Sequence, residues 1–324
     1  MLYEFAMTPD VFGATVVERD AALGVILVEL LRGMCDNGMI ANLHKDRWIR
    51  HVREDRVRGL SSGLKDKVIT CLNALHDRHR LVRHPRRMAG DPATDNDWLN
   101  LALESHGRIP FHGIVLSQAL LNASGHNDPV FMELSGALDT PQWQSRRRSR
   151  TLIKSETDYR SALAPLLRHA KTLALVDPYM SCRASRFFDT VKVCIDLLGQ
   201  RGHAVLPARI YIHAGNPERG DHAEPVTHRL NAWERQLRPL IGLHRVKVFL
   251  WDMKLGGKDF HDRYILTDQC GVSVPGGLDC RHTFHSSPND TTWSLLDEEV
   301  RIRLLQDFDP VTSPYRLMGE REVG

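Results

Sequence analysis

The sequence predicts a mixed α/β protein in two parts: an N-terminal mainly helical domain and a C-terminal α/β sandwich. Three observations lead there. Up to about residue 144, apolar residues recur at helical spacing. From about residue 156, short apolar runs alternate with amphipathic stretches, the pattern of strands covered by helices. Between them lies PQWQSRRRSRTLIKS, where basic residues crowd and the pattern changes. The expected division is an accessory domain over 1–144, a basic linker over 145–155 and a second domain over 156–324.

The composition sets limits on what the chain can be. Its 324 residues give room for two domains of ordinary size, and 42% hydrophobic with 26% charged residues argues for buried cores and against disorder. A formal charge of +3, with 17 histidines uncounted, permits a polyanionic partner without demanding one. The six cysteines, Cys35, Cys71, Cys182, Cys194, Cys270 and Cys280, form no CxxC pair. A chain this long needs no disulfide framework, so they are expected to be reduced thiols. The N-terminus lacks a basic segment followed by an apolar run. The longest apolar stretch, 21–31, is interrupted by Glu29 and falls short of the ~20 residues of a membrane span. A cytoplasmic protein with no membrane association is expected.

In the N-terminal half, Leu23, Ile26, Leu27, Leu30 and Leu31 predict a helix over 20–32 that stops near Gly33. Trp48, Ile49 and Val52 predict a second over 45–58, and Leu64, Val68, Leu72 and Leu75 a third over 64–80. Residues 98–104 read as helix and 113–116 as a short strand. The basic segment HDRHRLVRHPRR offers Arg83, Arg86 and Arg87 as candidate nucleic-acid contacts. The alternative for that segment is a solvated helix end complementing the helix dipole. Dimerisation, substrate guidance or a protein partner is the expected work of this half. The linker adds Arg146, Arg147 and Arg148 as candidate contacts to a nucleic acid strand.

The C-terminal half reads as helix 156–169, strand 172–176, helix 183–198, strand 208–213, helix 228–241 and strand 245–251. A strand over 258–267, a turn at 268–270, a strand over 271–274 and a terminal helix over 293–305 complete it. Near its end stands FHDRYILTDQCGVSVPGGLD, residues 260–279, which places His261, Arg263 and Asp268 at the spacing His-x-Arg-x4-Asp. Gly276, Gly277 and Asp279 follow. On a strand, residues two apart share a face, so His261 and Arg263 are expected to project together.

This stretch resembles the His-x-Lys-x4-Asp signature of the phospholipase D superfamily, which continues into a Gly-Ser pair and an Asn. The resemblance covers roughly 156–308 and one repeat of that fold. It implies that His261 attacks phosphorus to give a phosphohistidine, that a second histidine protonates the leaving oxygen, and that Arg263 holds the phosphate oxygens. No metal or other cofactor is implied. Asp268 would balance charge, Gly276 and Gly277 would let the backbone approach the phosphate, and Glu298 or Glu299 would orient the histidine. The chain departs from the signature in three ways: Arg263 replaces the usual Lys, the Ser after the glycine is missing, and Asp279 stands where the family has Asn.

Only one copy of the motif is present. His44-Lys45-Asp46, His76-Asp77-Arg78 and His169-Ala170-Lys171 each fail its spacing. Single-copy relatives pair two chains, so a homodimer with a composite site is expected. Cys270, Cys280, His282 and His285 cluster in sequence but match no common zinc spacing. The resulting expectation is a metal-independent phosphodiesterase, foremost an endonuclease, serving as an effector in prokaryotic defence or in DNA processing. The alternatives are a lipid phosphodiesterase or phosphatidyltransferase, and a non-catalytic member that binds nucleic acid or protein.

Overall fold

The chain folds as a mixed α/β protein with two separate sheets. The computed structural model describes residues 1–84, 90–125, 128–201, 207–215, 224–254, 257–280 and 290–324. It divides into Leu2–Arg147 and a second unit, Arg148–Gly324 with Met1.

In the first unit the chain runs β1 (Tyr3–Met7), α1 (Ala21–Asn37), β2 (Gly38–Asn42), α2 (Ser62–Asp77) and β3 (Leu81–Arg83). It continues through α3 (Asp95–Arg108), β4 (Gly113–Leu116) and β5 (Phe131–Glu133). The five strands form a parallel sheet in the order β3-β2-β1-β4-β5. The helices expected at 20–32, 64–80 and 98–104 are present as α1, α2 and α3, and β4 occupies 113–116. The mainly helical architecture is corrected, because these helices wrap a sheet of which only β4 was legible. The reason is burial on both faces. Phe5, Ala6 and Met7 of β1 are all inaccessible, as are Met39, Ile40 and Ala41 of β2. Such strands show no polar–apolar alternation. Trp48 locks the sheet to the segment after β2, donating from Nε1 to the Met7 carbonyl at 2.5 Å.

The second unit begins with β6 (Ser149–Ile153), inside the stretch expected to be a linker. α4 (Glu156–Leu167), β7 (Thr172–Asp177), α5 (Ser185–Gly199), β8 (Arg209–Gly215), α6 (Val226–Leu237) and β9 (Arg245–Asp252) follow. Then come β10 (Tyr264–Thr267), β11 (Gly271–Ser273), β12 (Asp290–Leu295), α7 (Glu298–Asp307) and β13 (Arg316–Val323). The eight-stranded sheet has the order β13-β9-β8-β7-β10-β11-β12-β6. β7, β8 and β9 are parallel, and every other pairing is antiparallel. β6 pairs with β12 from Ser149–Ser294 to Ile153–Asp290, so the basic stretch is a sheet edge. The terminal helix expected over 293–305 starts only at Glu298, since Asp290–Leu295 is strand β12.

Val176, His213 and Phe249 stand side by side on one face of β7, β8 and β9. Phe260, Trp251, Phe308 and Tyr315 complete an aromatic core there. The His213 ring stacks on Phe249 with centroids 4.9 Å apart, and its Nδ1 accepts from Trp251 Nε1 at 3.0 Å. Burial pulls its pKa from 6.5 to about 3, so the core holds a neutral imidazole. A depressed value means that the stability His213 contributes is complete above pH 6.5 and is lost as pH falls towards about 3. Urea unfolding as a function of pH is expected to show His213 accounting for up to ~5 kcal/mol of that acid loss. The His213→Gln variant, measured beside it, should lack this share of the slope.

Candidate active site

The residues that matter meet where β7 leaves the sheet. Asp177 is the last residue of β7, and its side chain is wholly buried. Its Oδ1 accepts from Tyr179 N at 2.9 Å, two residues on, which turns the chain. Pro178 has no N–H to continue the ladder. The Asp177 Oδ2 accepts from Leu278 N at 3.0 Å, drawing in the loop after β11. One carboxylate thus fixes two loops. Burial raises its pKa above the ordinary carboxylate value, while the two backbone hydrogen bonds and Arg263 oppose that rise.

Arg263 approaches from the neighbouring β10 side. Its Nε lies 3.9 Å from Asp177 Oδ1, its guanidinium covers the Tyr179 ring at 4.9 Å, and Nη1 donates to the Pro275 carbonyl at 3.3 Å. Nε itself has no hydrogen-bond partner among the described residues. Asp279 is buried beside this group and makes a 2.5 Å ion pair with Lys154 Nζ, which also donates to the Gly276 carbonyl. The Tyr159 hydroxyl donates to the Asp279 carbonyl at 3.1 Å. Gly277 takes a left-handed φ of +89°, and a Cβ there would lie 3.2 Å from Asp279 Oδ1. A Cβ on Gly276 would come within 2.6 Å of Thr291 Oγ1. Local packing at Gly276 and backbone conformation at Gly277 therefore call for glycine.

His261 departs from the expected strand geometry, because β10 begins only at Tyr264. The ladder between β7 and β10 starts at Val176–Tyr264, where β7 turns away. On the other side, Val274 N donates to the Arg263 carbonyl at 3.0 Å and Pro275 then ends the pairing. No described strand remains for 258–262 to pair with. The segment is instead pinned by Phe260, whose ring packs 5.4 Å from Phe308 and 5.2 Å from Tyr315. His261 itself is 59% exposed. Its Nδ1 is 2.6 Å from Asp262 Oδ1, and Asp262 Oδ2 accepts from the Tyr264 hydroxyl at 3.0 Å. Burial and that hydrogen bond raise the Tyr264 pKa, which keeps the phenol protonated as a donor. The result is a chain His261–Asp262–Tyr264 that engages Nδ1 and leaves Nε2 as the outward ring nitrogen.

The other expected residues fall elsewhere. Asp268 lies at the opposite end of β10, where Oδ1 accepts from Lys171 N and Thr172 N and ties that end to the start of β7. Glu298 pairs with Arg301 at 2.6 Å, so the carboxylate on His261 is that of Asp262. Arg83 hydrogen-bonds Asp46 through Nε at 2.9 Å. Arg146 lies 3.3 Å over the Trp143 ring and donates to Gly33 O and Asn37 Oδ1, and burial pulls its pKa down to about 10. Arg147 donates to the Gln144 carbonyl, and Arg148 pairs with Asp297 at 2.6 Å. Arg86, Arg87, His282 and His285 lie outside the described residues.

Three residues of this site escaped the sequence reading as functional groups: Asp177, Lys154 and Asp262. Asp177 carried a signal, an Asp-Pro pair closing an apolar run. Lys154 carried none, since only the fold brings it to Asp279. A further polar group lies at the carboxyl ends of the parallel sheet in the first unit. There buried Asp10 accepts from Ser117 N at 3.2 Å, between the ends of β1 and β4 where strand order reverses. Burial raises the pKa of nearby Asp95, and its pairing with Arg56 opposes that rise. No family model matches the chain, and no curated protein matches it. No helix among the described residues is long and apolar enough to cross a membrane.

Removing one member of a buried ion pair leaves the other uncompensated. Lys154→Ala is expected to cost ~3–5 kcal/mol in chemical unfolding. The double substitution Lys154→Met with Asp279→Leu should cost less, because no lone charge is left buried.

Proposed function

We propose that this chain is a phosphodiesterase of the phospholipase D type, acting on nucleic acid through a phosphohistidine. The observation that carries the reading is the His261–Asp262–Tyr264 chain, with the loosely held guanidinium of Arg263 supplied from the same short segment two residues after His261. Asp262 at Nδ1 orients the imidazole and favours the cation that forms on it, which makes Nε2 the attacking atom. As the phosphorus–oxygen bond to the leaving group breaks, Arg263 stabilises charge on the non-bridging oxygens, a task that calls for no metal. Water then attacks phosphorus and restores His261. Asp279 does not repel the phosphate, because Lys154 neutralises it inside the protein.

The protonation of the leaving oxygen calls for a second acid. In this reading it is His261 of a second copy, in a homodimer with a composite site. The substrate in this reading is a polymeric anion. A groove of about 810 Å³ beside α6 is lined by Arg183, His228, Arg235 and Arg238 with Glu224 and Glu234, and there Arg183 is paired with Glu224 and Arg238 with Glu234. The basic segments of the first unit support this less strongly, since Arg83 and Arg146 are engaged within the protein. Service in prokaryotic defence or DNA processing, in the cytoplasm and with a protein partner on the first unit, belongs to the same proposal.

The test is cleavage of single- and double-stranded DNA and RNA in the presence of a chelator. Wild type should cleave at least one of them, and His261→Ala should lose at least ~10³-fold. Asp262→Asn should lose ~10–10²-fold with KM little changed. Unfolding wild type with an excess of His261→Ala chains and refolding them together should lower the activity below that of the wild-type chains refolded alone, if the site is shared. Binding without turnover would select a non-catalytic role, and turnover of phospholipid vesicles alone would select the lipid reading.

A further inference from the structure

Two cysteines of the first unit face one another across a helix pair. α1 and α2 run in the same direction along the sheet. Near their N-termini a Cβ on Gly24 would lie 3.2 Å from Leu64 Cδ2, and near their C-termini Cys35 Sγ donates to the Cys71 carbonyl at 3.5 Å. The two thiols are near enough to perturb each other's ionisation. Both residues lie within continuous helices, so the backbones that hold them are fixed. Arg78 and Arg80 each donate to the Cys35 carbonyl at 2.7 Å, fastening the end of α1. Cys35 is only half-buried, which gives the pair an edge open to small solutes.

The pair is chemically unlike the other thiols. The neighbouring Cys35 thiol, helped by Arg32, lowers the Cys71 pKa to about 7, while burial acts against it. The Cys71 thiol, with burial, raises that of Cys35. One sulfur is therefore available as thiolate near neutral pH, with a protonated neighbour in contact. Burial, with the neighbouring Cys280, pushes Cys194 up to about 12; burial, with nearby carboxylates, pushes Cys280 to about 12, and burial also raises Cys182.

We propose that Cys35 and Cys71 are a reversible disulfide site, closed by hydroperoxide and reopened by thiol reductants. The Cys71 thiolate attacks one peroxide oxygen, the O–O bond breaks, and hydroxide leaves and takes up a proton as water. Cys71 is then a sulfenic acid. The Cys35 sulfur attacks the Cys71 sulfur, the S–S bond forms, the S–O bond breaks, and the departing hydroxide leaves as water with the Cys35 proton. The two thiols give up two electrons, and the peroxide accepts them. The cross-link joins α1 to α2 across 36 positions of chain, a long loop whose closure restricts the unfolded state.

The experiment uses the full-length chain treated with hydrogen peroxide, then unfolded in N-ethylmaleimide and mapped by mass spectrometry without reduction. The expected product is a linked peptide joining Cys35 to Cys71 that disappears with dithiothreitol, while Cys182, Cys194, Cys270 and Cys280 remain alkylated. The oxidised protein should melt at a higher temperature than the reduced one. In Cys35→Ser, Cys71 should instead accumulate a sulfenic acid that dimedone traps. Full alkylation of Cys35 and Cys71 after peroxide would overturn the proposal, and so would a link from either to another cysteine. The mapping is done on wild type, so its result does not depend on whether a variant folds.

Discussion

The second unit depends on one buried carboxylate. Asp177 closes β7, turns the chain through Tyr179 N, receives Leu278 N from the far loop and faces Arg263. A carboxylate buried this deeply is costly unless its oxygens are filled. Two backbone donors fill them at 2.9 and 3.0 Å. The cost that remains is expressed in the raised pKa, and it is offset by what the carboxylate organises. Without that turn, β7 would continue beside β10, and residues 258–263 would be drawn into the ladder as a regular strand.

This explains why the motif was legible and its geometry was not. The spacing from His261 to Asp268 is a property of sequence, and the strand order around it follows from alternating apolar runs. The loss of pairing before Tyr264 depends on where neighbouring strands stop, at Asp177-Pro178 and at Pro275, which are distant in sequence. In the same way Lys154 carries no local sign of its partner, 125 positions away. In the first unit the failure has a different cause. β1 and β2, five residues each and buried on both faces, offer neither length nor alternation. The helices around them are long and amphipathic, so they dominate the pattern. β4 was visible only because Gly113-Ile-Val-Leu116 is bounded by polar residues.

Arginine chemistry divides along the same line. A run of arginines reads as a charged strip, yet folding gives each of the described ones a different task. Arg146 stacks on Trp143 and fills two acceptors, whereas Arg148 ties β6 to Asp297. The guanidinium fork suits such fixed roles better than an ammonium does. The cations left for an external anion are those whose bonds are long or few.

Arg263 is of that kind, and this bears on the departure at Asp279. Two carboxylates, Asp177 and Asp279, stand close enough that the second opposes the ionisation of the first. If Arg263 had to neutralise both, it would be committed to the interior. Lys154 takes Asp279 at 2.5 Å, and backbone N–H groups take Asp177, so Arg263 keeps only a 3.9 Å approach and one bond to a carbonyl. Its stacking on Tyr179 orients the guanidinium plane without consuming donors. In the proposed reaction an incoming phosphate would replace weak contacts with charge-assisted ones and leave the buried balance intact. On this account Asp279 and Lys154 act as a pair that frees Arg263 from the buried charge balance.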